Sequence, residues 1–128
     1  MKVLLDTCAF IWLVTDDPKL SKLAKEIFLD TDNELLLSVV TGFEIAVKYS
    51  LGKLHLTEPP NEFIANRIQA NALTELPVSM AHALILQNLP WHHKDPFDRL
   101  LVAQAMVNQI PLLSANQQLS AYAIERLW

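Results

Sequence analysis

The sequence contains little cysteine, little glycine and no hydrophobic run of membrane-spanning length. Among 128 residues there are one cysteine and two glycines. A single cysteine, Cys8, cannot form an internal disulfide, which favours a reducing cytoplasm and a small buried hydrophobic role for Cys8. No apolar stretch approaches the roughly 20 residues that cross a bilayer, and no small-residue cleavage pattern of a signal peptide follows the N-terminus. We therefore expect a cytoplasmic protein with no membrane partner.

Basic residues and linker segments are also scarce. Lys and Arg number 10 against 14 Asp and Glu, which gives a formal net charge of −4. This balance argues against a broad basic surface for nucleic acids, but it leaves room for an enzyme whose positive charge comes from a metal ion. With 52% hydrophobic residues and no Gly/Ser-rich segment, we expect residues 1–128 to form a single domain.

Short apolar runs alternate with segments of helical periodicity along the chain. The predicted strands are Val3–Leu5, Glu34–Ser38, Leu73–Leu76, Pro111–Ser114 and Ile124–Leu127. The predicted helices are Thr7–Val14, Thr41–Leu51, Pro60–Ala70, Met80–Asn88, Pro96–Asn108 and Gln117–Tyr122. Apolar residues at helical spacing from Leu20 to Phe28 predict one more helix, with Ser21 as its candidate cap. This alternation predicts an α/β sandwich around a largely parallel sheet.

Acidic residues lie at the starts of several predicted helices, and each has an ordinary structural explanation. Asp6 and Asp95 are suited to cap a helix, and Asp98 falls in a first turn, near the positive end of the helix dipole. Glu44 could close a capping box with Thr41 or form an i,i+4 pair with Lys48. Taken one at a time, these explanations are sufficient.

The topology changes that interpretation, because residues that follow parallel strands meet at one edge of the sheet. Asp6, the segment from Thr41 and Asn116 each follow a predicted strand. Two carboxylates 4 Å apart repel by about 4 kcal/mol at an effective dielectric of 20, so such a cluster favours a bound cation. Oxygen ligands suit Mg²⁺ or Mn²⁺, and such an ion can activate a water against a phosphodiester.

Four stretches together resemble PIN-domain proteins, specifically the VapC-like ribonuclease toxins of bacterial toxin–antitoxin modules. They read LLDTCAFIWL, SVVTGFEIAVKYSLGKL, HHKDPFDRLLVAQA and PLLSANQQLSAY, and they span the chain nearly end to end. The resemblance implies a three-layer α/β/α sandwich with strand order 3-2-1-4-5. It also implies a metal-dependent endoribonuclease that cuts RNA phosphodiester bonds, a cognate antitoxin partner and homodimers.

The resemblance further implies roles for particular residues. Asp6, Glu44 and Asp98 match the three principal acids of the family and are the expected ligands of Mg²⁺ or Mn²⁺. Asn116 stands where the family usually carries an acid. We expect its amide oxygen to contact the metal's hydration shell or to orient the attacking water. The alternative is a catalytically weakened domain that mainly binds antitoxin or RNA.

Residues around the acids are expected to assist. Asp95 is expected to cap its helix beside the metal, while Thr7 and Ser38 would donate hydrogen bonds to the acids or to nearby backbone. Expected phosphate contacts at the cleft rim come from basic side chains, whose ordinary alternative is a solvated helix surface; these are Lys48, Lys94 and Arg99. The four histidines lack a recognised zinc spacing, although His92 and His93 precede the acidic pair and could contact substrate.

A phosphotransfer module, such as a receiver domain or a haloacid-dehalogenase-like phosphatase, is a further rival. Those mechanisms need an adjacent acid pair or an Asp-x-Asp motif after the first strand, together with a lysine after a late strand. Here the first strand ends in Asp6-Thr7-Cys8 and the late strand ends in Ser114-Ala115-Asn116. Both features argue against this rival.

Overall fold

A computed structural model describes residues 1–128 as a five-stranded parallel sheet with six α-helices. The strands are β1 Lys2–Leu5, β2 Glu34–Ser38, β3 Thr74–Leu76, β4 Leu112–Leu113 and β5 Arg126–Leu127. The helices are α1 Thr7–Thr15, α2 Lys22–Leu29, α3 Val39–Ser50, α4 Pro60–Ala70, α5 Met80–Ile85 and α6 Pro96–Asn108. Two 3₁₀ helices complete the chain, at Leu86–Asn88 and Gln117–Ala121.

The strand order is β3-β2-β1-β4-β5, and every neighbouring pair is parallel. β1 is central because it pairs with β2 on one side and β4 on the other. The predicted fold class and strand order are therefore confirmed. The direction in which successive strands are added reverses at β1, and in such sheets ligands bind beyond the carboxyl ends at that point.

Both faces of the sheet are covered by helices, so its strands are apolar throughout. Val3 and Leu5 of β1 belong to one hydrophobic cluster, while Leu4 between them belongs to the other. All three side chains are fully buried. This is the arrangement expected when successive side chains point to opposite faces of a strand that is enclosed on both sides.

Several boundaries differ from the predicted ones, and α3 matters most for the site. The hydroxyl of Ser38 accepts a hydrogen bond from the Val40 N–H, so α3 begins at Val39 rather than at Thr41. The proposed capping box between Thr41 and Glu44 is therefore wrong. Gly52 has a φ of +70°, which agrees with its predicted place just after this helix.

Two predicted helices are shorter or tighter than expected. The segment Met80–Asn88 continues as an α-helix only to Ile85 and then narrows to a 3₁₀ turn. The Gln117–Tyr122 helix is a 3₁₀ helix that ends at Ala121. None of the helices combines the length and the apolar character needed to cross a bilayer.

Candidate active site

A cavity of about 310 Å³ opens beyond the carboxyl ends of β1 and β4, at the point where the strand order reverses. It contains all three acids that the sequence singled out. The lining residues are Asp6, Thr7, Cys8, Trp12, Glu44, Lys48, Asp95, Asp98, Ala115 and Asn116. The chain thus brings together side chains that lie far apart in the sequence, from the ends of two strands, the starts of α1 and α6, and the middle and end of α3. We call this cavity the acidic pocket.

Asp6 is at once a helix cap and a pocket residue. Its Oδ1 accepts the N–H of Ala9 at 2.7 Å, and the residue is only 5% exposed. Burial raises the pKa of Asp6 to about 6, against the lowering effect of hydrogen bonds from Ser114 and Ala9. The nearby charges of Asp98 and Glu44 raise it further. The carboxylate is therefore held in its charged form at an energetic cost.

Glu44 projects from α3 and is also only 5% exposed. Its Oε2 pairs with the ammonium of Lys48, as the i,i+4 spacing predicted. Its Oε1 is buried and has no hydrogen-bond partner. A buried carboxylate oxygen without a partner is costly, and a cation in the pocket would remove that cost. The donor set therefore fits a hard divalent metal ion.

Asp95 and Asp98 lie at the start of α6. Asp95 caps the helix, since its Oδ1 accepts the N–H groups of Phe97 at 2.8 Å and Asp98 at 3.1 Å. The Asp98 carboxylate contacts Nε2 of His93 at 2.9 Å. Burial raises the pKa of Asp98, and the charge of Asp95 adds to that rise. One acid therefore starts the helix while its neighbour faces the pocket.

The two hydroxyls expected near the acids have different surroundings. Thr7 lines the pocket and shares a 3.1 Å hydrogen bond with Thr41. Ser38 does not bond to the acids, and its hydroxyl satisfies nearby backbone, which is the other role that the sequence allowed. It caps α3 and donates to Oε1 of Gln104 instead, because β2 ends with that side chain turned toward α6.

The three basic residues expected at the rim also differ in where their side chains lie. Lys48 lines the pocket, whereas Lys94 is exposed and is not among the lining residues. Arg99 is only 3% exposed, so its prediction as a phosphate contact is wrong. Its guanidinium donates to the carbonyls of Leu89 and Pro90 at 3.1 and 2.8 Å, which leaves it facing the interior.

Asn116 lines the pocket, but its amide oxygen is already in use. Oδ1 accepts the N–H of Gln118 at 3.1 Å and so caps the following 3₁₀ helix. The amide nitrogen instead faces Nε2 of His93 at 3.4 Å. Oδ1 keeps a second lone pair, so the expected contact of Asn116 with the metal's hydration shell or the attacking water stays a prediction.

Two polar residues of the site were missed or underrated. Ser114 is fully buried after β4, its hydroxyl lowers the pKa of Asp6, and it accepts the N–H of Asn116 at 3.1 Å. Its place directly after a predicted strand was a usable signal. His93 was considered only as a substrate contact, although it lies five residues before Asp98 and directly contacts it.

Cys8 departs from its expected role as a buried hydrophobe, since it is exposed at the pocket. Desolvation within the part-enclosed pocket raises the pKa of the thiol to about 11, and the charges of Asp6 and Glu44 contribute. The thiol therefore stays protonated at neutral pH, which argues against a nucleophilic cysteine mechanism.

The family model of the PIN domain matches residues 3–125, which is almost the whole chain. The chain is a PIN domain. This PIN domain is 36% identical over 58 residues to ribonuclease VapC16 of Mycobacterium tuberculosis. The match covers 45% of this chain and 41% of that protein, so the aligned part is less than half of the relative.

Solved structures agree with this PIN domain over nearly its full length. VapBC2 from Rickettsia felis, bound to a DNA fragment from its promoter, superposes with a TM-score of 0.74 at 14% identity. That match covers 99% of this chain and 98% of the other. DNA-bound VapBC from Salmonella typhimurium gives a TM-score of 0.68 at 16% identity, covering 99% and 97% of the two chains. At these identities the similarity establishes the fold.

Proposed function

We propose that this PIN domain is a metal-dependent endoribonuclease and the toxin of a toxin–antitoxin pair. One observation carries the proposal. The buried Oε1 of Glu44 has no partner in a pocket that also contains Asp6 and Asp98. A divalent cation in this pocket would give that oxygen a partner and would offset the repulsion among the three carboxylates.

The relatives support the choice of substrate and partners. The name of ribonuclease VapC16 supports RNA as the substrate, through a match that covers less than half of that protein. The VapBC complexes among the similar folds support a cognate antitoxin, and homodimers are part of the same proposal. RNA carries its charge on phosphates, and a cation in the pocket would offset the repulsion between those phosphates and an acidic chain.

Asp6, Glu44 and Asp98 would hold Mg²⁺ or Mn²⁺. Such an ion, when bound, lowers the pKa of a coordinated water and neutralises charge on the phosphate. The N–H of Ala9 keeps Asp6 oriented through a hydrogen bond to its carboxylate. Lys48 supplies a positive charge at the pocket wall. A phosphate oxygen could bind the Lys48 ammonium and weaken its ion pair with Glu44.

Cleavage of labelled structured RNA in the presence of Mn²⁺ tests the proposal. Asp6→Asn and Asp98→Asn keep the side-chain size but remove a metal-ligand charge, and each is expected to lower the cleavage rate by about 100-fold or more. Asp32→Asn is the matched control, because Asp32 is an exposed residue in the turn before β2. Cleavage that survives both pocket substitutions would rule out the assignment.

A catalytically weakened domain that mainly binds antitoxin or RNA is the second candidate. Asn116 favours it, because an amide adds no negative charge to the pocket and its oxygen already caps a helix. Calorimetric titration with Mn²⁺ and Mg²⁺ separates the two. Absence of any divalent-ion binding by the wild-type protein would favour the binding module over the nuclease.

A further inference from the structure

The side chain of His93 lies beside two acids at distances suited to metal ligands, which its place in the sequence did not suggest. Its side chain is 18% exposed, and its Nε2 is 2.9 Å from Oδ2 of Asp98. One ligand atom from each of His93, Asp95 and Asp98 lies within 4.8 Å of the others. Ligands of one ion at about 2.1 Å lie at most about 4.2 Å apart, so shifts of a few tenths of an ångström would bring all three to a single ion.

His93 is not itself a lining residue of the pocket, but it contacts two residues that are, Asp98 and Asn116. The oxygen of Asn116 accepts the Gln118 N–H, and its NH₂ group, which carries no ligand lone pair, faces His93 at 3.4 Å. Nε2 can bind a metal ion only in the tautomer that leaves this nitrogen unprotonated, and Asp98 would then be a neighbouring ligand rather than its hydrogen-bond acceptor.

A second observation points to a cation rather than to a simple His–Asp hydrogen bond. Glu44 lines the same pocket as Asp95 and Asp98, and its buried Oε1 has no partner. A hydrogen bond between His93 and Asp98 leaves that oxygen unsatisfied. A metal ion that engages the acids would satisfy it and could take Nε2 as a further ligand.

The backbone around His93 is fixed by a buried arginine. The hydroxyl of Tyr122 accepts the N–H of His93 at 3.1 Å and a guanidinium N–H of Arg99 at 3.1 Å. Arg99 also donates to the carbonyls of Leu89 and Pro90, and the ring of Trp91 lies over it at 3.7 Å. Arg99 has no carboxylate partner, so its burial is balanced by carbonyls, a hydroxyl and an aromatic face.

We propose that His93 is a nitrogen ligand of the metal centre, positioned by Arg99 and Tyr122, and that it makes the site prefer Mn²⁺ over Mg²⁺. The inference rests on the proposed function, since it assigns a further residue to the same site. Mg²⁺ strongly favours oxygen ligands, whereas imidazole nitrogen is a common ligand of first-row transition ions. Loss of this nitrogen should therefore weaken Mn²⁺ binding more than Mg²⁺ binding.

Pulsed electron paramagnetic resonance on the Mn²⁺-loaded protein tests the assignment directly. We expect a nitrogen coupling of directly bound imidazole in the wild type and its loss in His93→Gln. His92→Gln is the matched control, because His92 is the adjacent, exposed histidine and should leave the coupling unchanged. In parallel titrations His93→Gln should raise the Kd for Mn²⁺ about tenfold or more, with a smaller change for Mg²⁺.

The outcomes separate this inference from the proposed function. Mn²⁺ binding without nitrogen coupling in the wild type would overturn the role of His93 and leave an all-oxygen metal site intact. Equal losses of Mn²⁺ and Mg²⁺ affinity in His93→Gln would also contradict the selectivity claim. A wild-type protein that binds no divalent ion would overturn the metal centre itself, and the nuclease proposal with it.

Discussion

Two groups of buried polar side chains lie beside α3 and α6, and they differ in how completely they are satisfied. One is the Gln104 network, which consists of Ser38, His82, Gln104 and Asn108. Ser38 donates to Gln104, whose amide donates to the Pro77 carbonyl at 3.2 Å. His82 accepts the Ser79 N–H at 3.0 Å on one ring nitrogen and contacts Asn108 at 2.7 Å with the other.

The acidic pocket is the opposite case. Glu44 has a buried oxygen without a partner, and burial raises the pKa of both Asp6 and Asp98. The Gln104 network saturates its donors and acceptors, so it has the character of a structural element. The acids of the pocket repel one another and remain incompletely satisfied, which is the condition that a metal ion relieves. Burial alone therefore does not distinguish a structural polar group from a functional one, whereas the state of its partners does.

The largest expected stability effect comes from breaking the Gln104 network. Gln104→Leu leaves the hydroxyl of Ser38 and the carbonyl of Pro77 without their partner, so it should lower the free energy of unfolding by about 3 kcal/mol. Urea unfolding measures the change, and Mn²⁺ affinity should stay the same. Gln69→Leu, an exposed glutamine on α4, is the control and should change stability by less than about 0.5 kcal/mol. If Gln104→Leu kept its stability but bound Mn²⁺ more weakly, the Gln104 network would be part of the metal site, and the distinction between the two groups would be wrong.

In the metal-free protein, Asp6→Asn is expected to raise the free energy of unfolding, whereas Gln104→Leu lowers it. Because the folded-state pKa is raised from 3.8 to about 6, the charged carboxylate destabilises the fold at pH 7. Removing that charge should stabilise the protein by about 2 kcal/mol at neutral pH. The gain should shrink as the pH falls below about 6 and vanish near pH 4, where the carboxyl is increasingly protonated in both states.

Thermal unfolding across this pH range, with Asp32→Asn as the control, measures the effect. With saturating Mn²⁺ the wild type should become more stable than Asp6→Asn, because the wild type gains binding free energy that the variant lacks. Destabilisation by Asp6→Asn at pH 7 without metal would mean that the capping hydrogen bond to Ala9 outweighs charge repulsion.

Lys48→Met should have the smallest effect on stability. The hydrogen bond to Glu44 raises the pKa of Lys48, so the pair is formed at neutral pH and is lost only in strong alkali. The Lys48 side chain is 45% exposed, which limits the loss to less than about 1 kcal/mol. The freed Oε2 of Glu44 should instead strengthen Mn²⁺ binding, measured by calorimetry. Exposed Lys53→Met is the control, and weaker binding in Lys48→Met would show that Lys48 supports the site rather than competing with the ion.

Local sequence signals predicted much of the fold because helix starts and buried strands are encoded by neighbouring residues. Asp6, Ser21 and Asp95 were identified as caps from their position before apolar periodic segments, and all three accept the expected backbone hydrogen bonds. The bounds of α4 and α6 were predicted correctly, since a proline at the first helical position marks each start. The start of α3 was missed because Ser38 and Thr41 are both acceptable caps by sequence.

The sequence by itself determined that acids follow strands and begin helices, and hence that they would gather beyond one edge of a parallel sheet. Only the tertiary structure decided which neighbouring polar groups join them. Ser38 and Ser114 both stand at the ends of apolar strands, yet Ser38 bonds to Gln104 and Ser114 accepts the N–H of Asn116 beside the acids. Arg99 turns inward and His93 reaches Asp98 because carbonyls and a hydroxyl from distant segments fix them. Side-chain direction at a strand end depends on those long-range partners, which local periodicity does not specify.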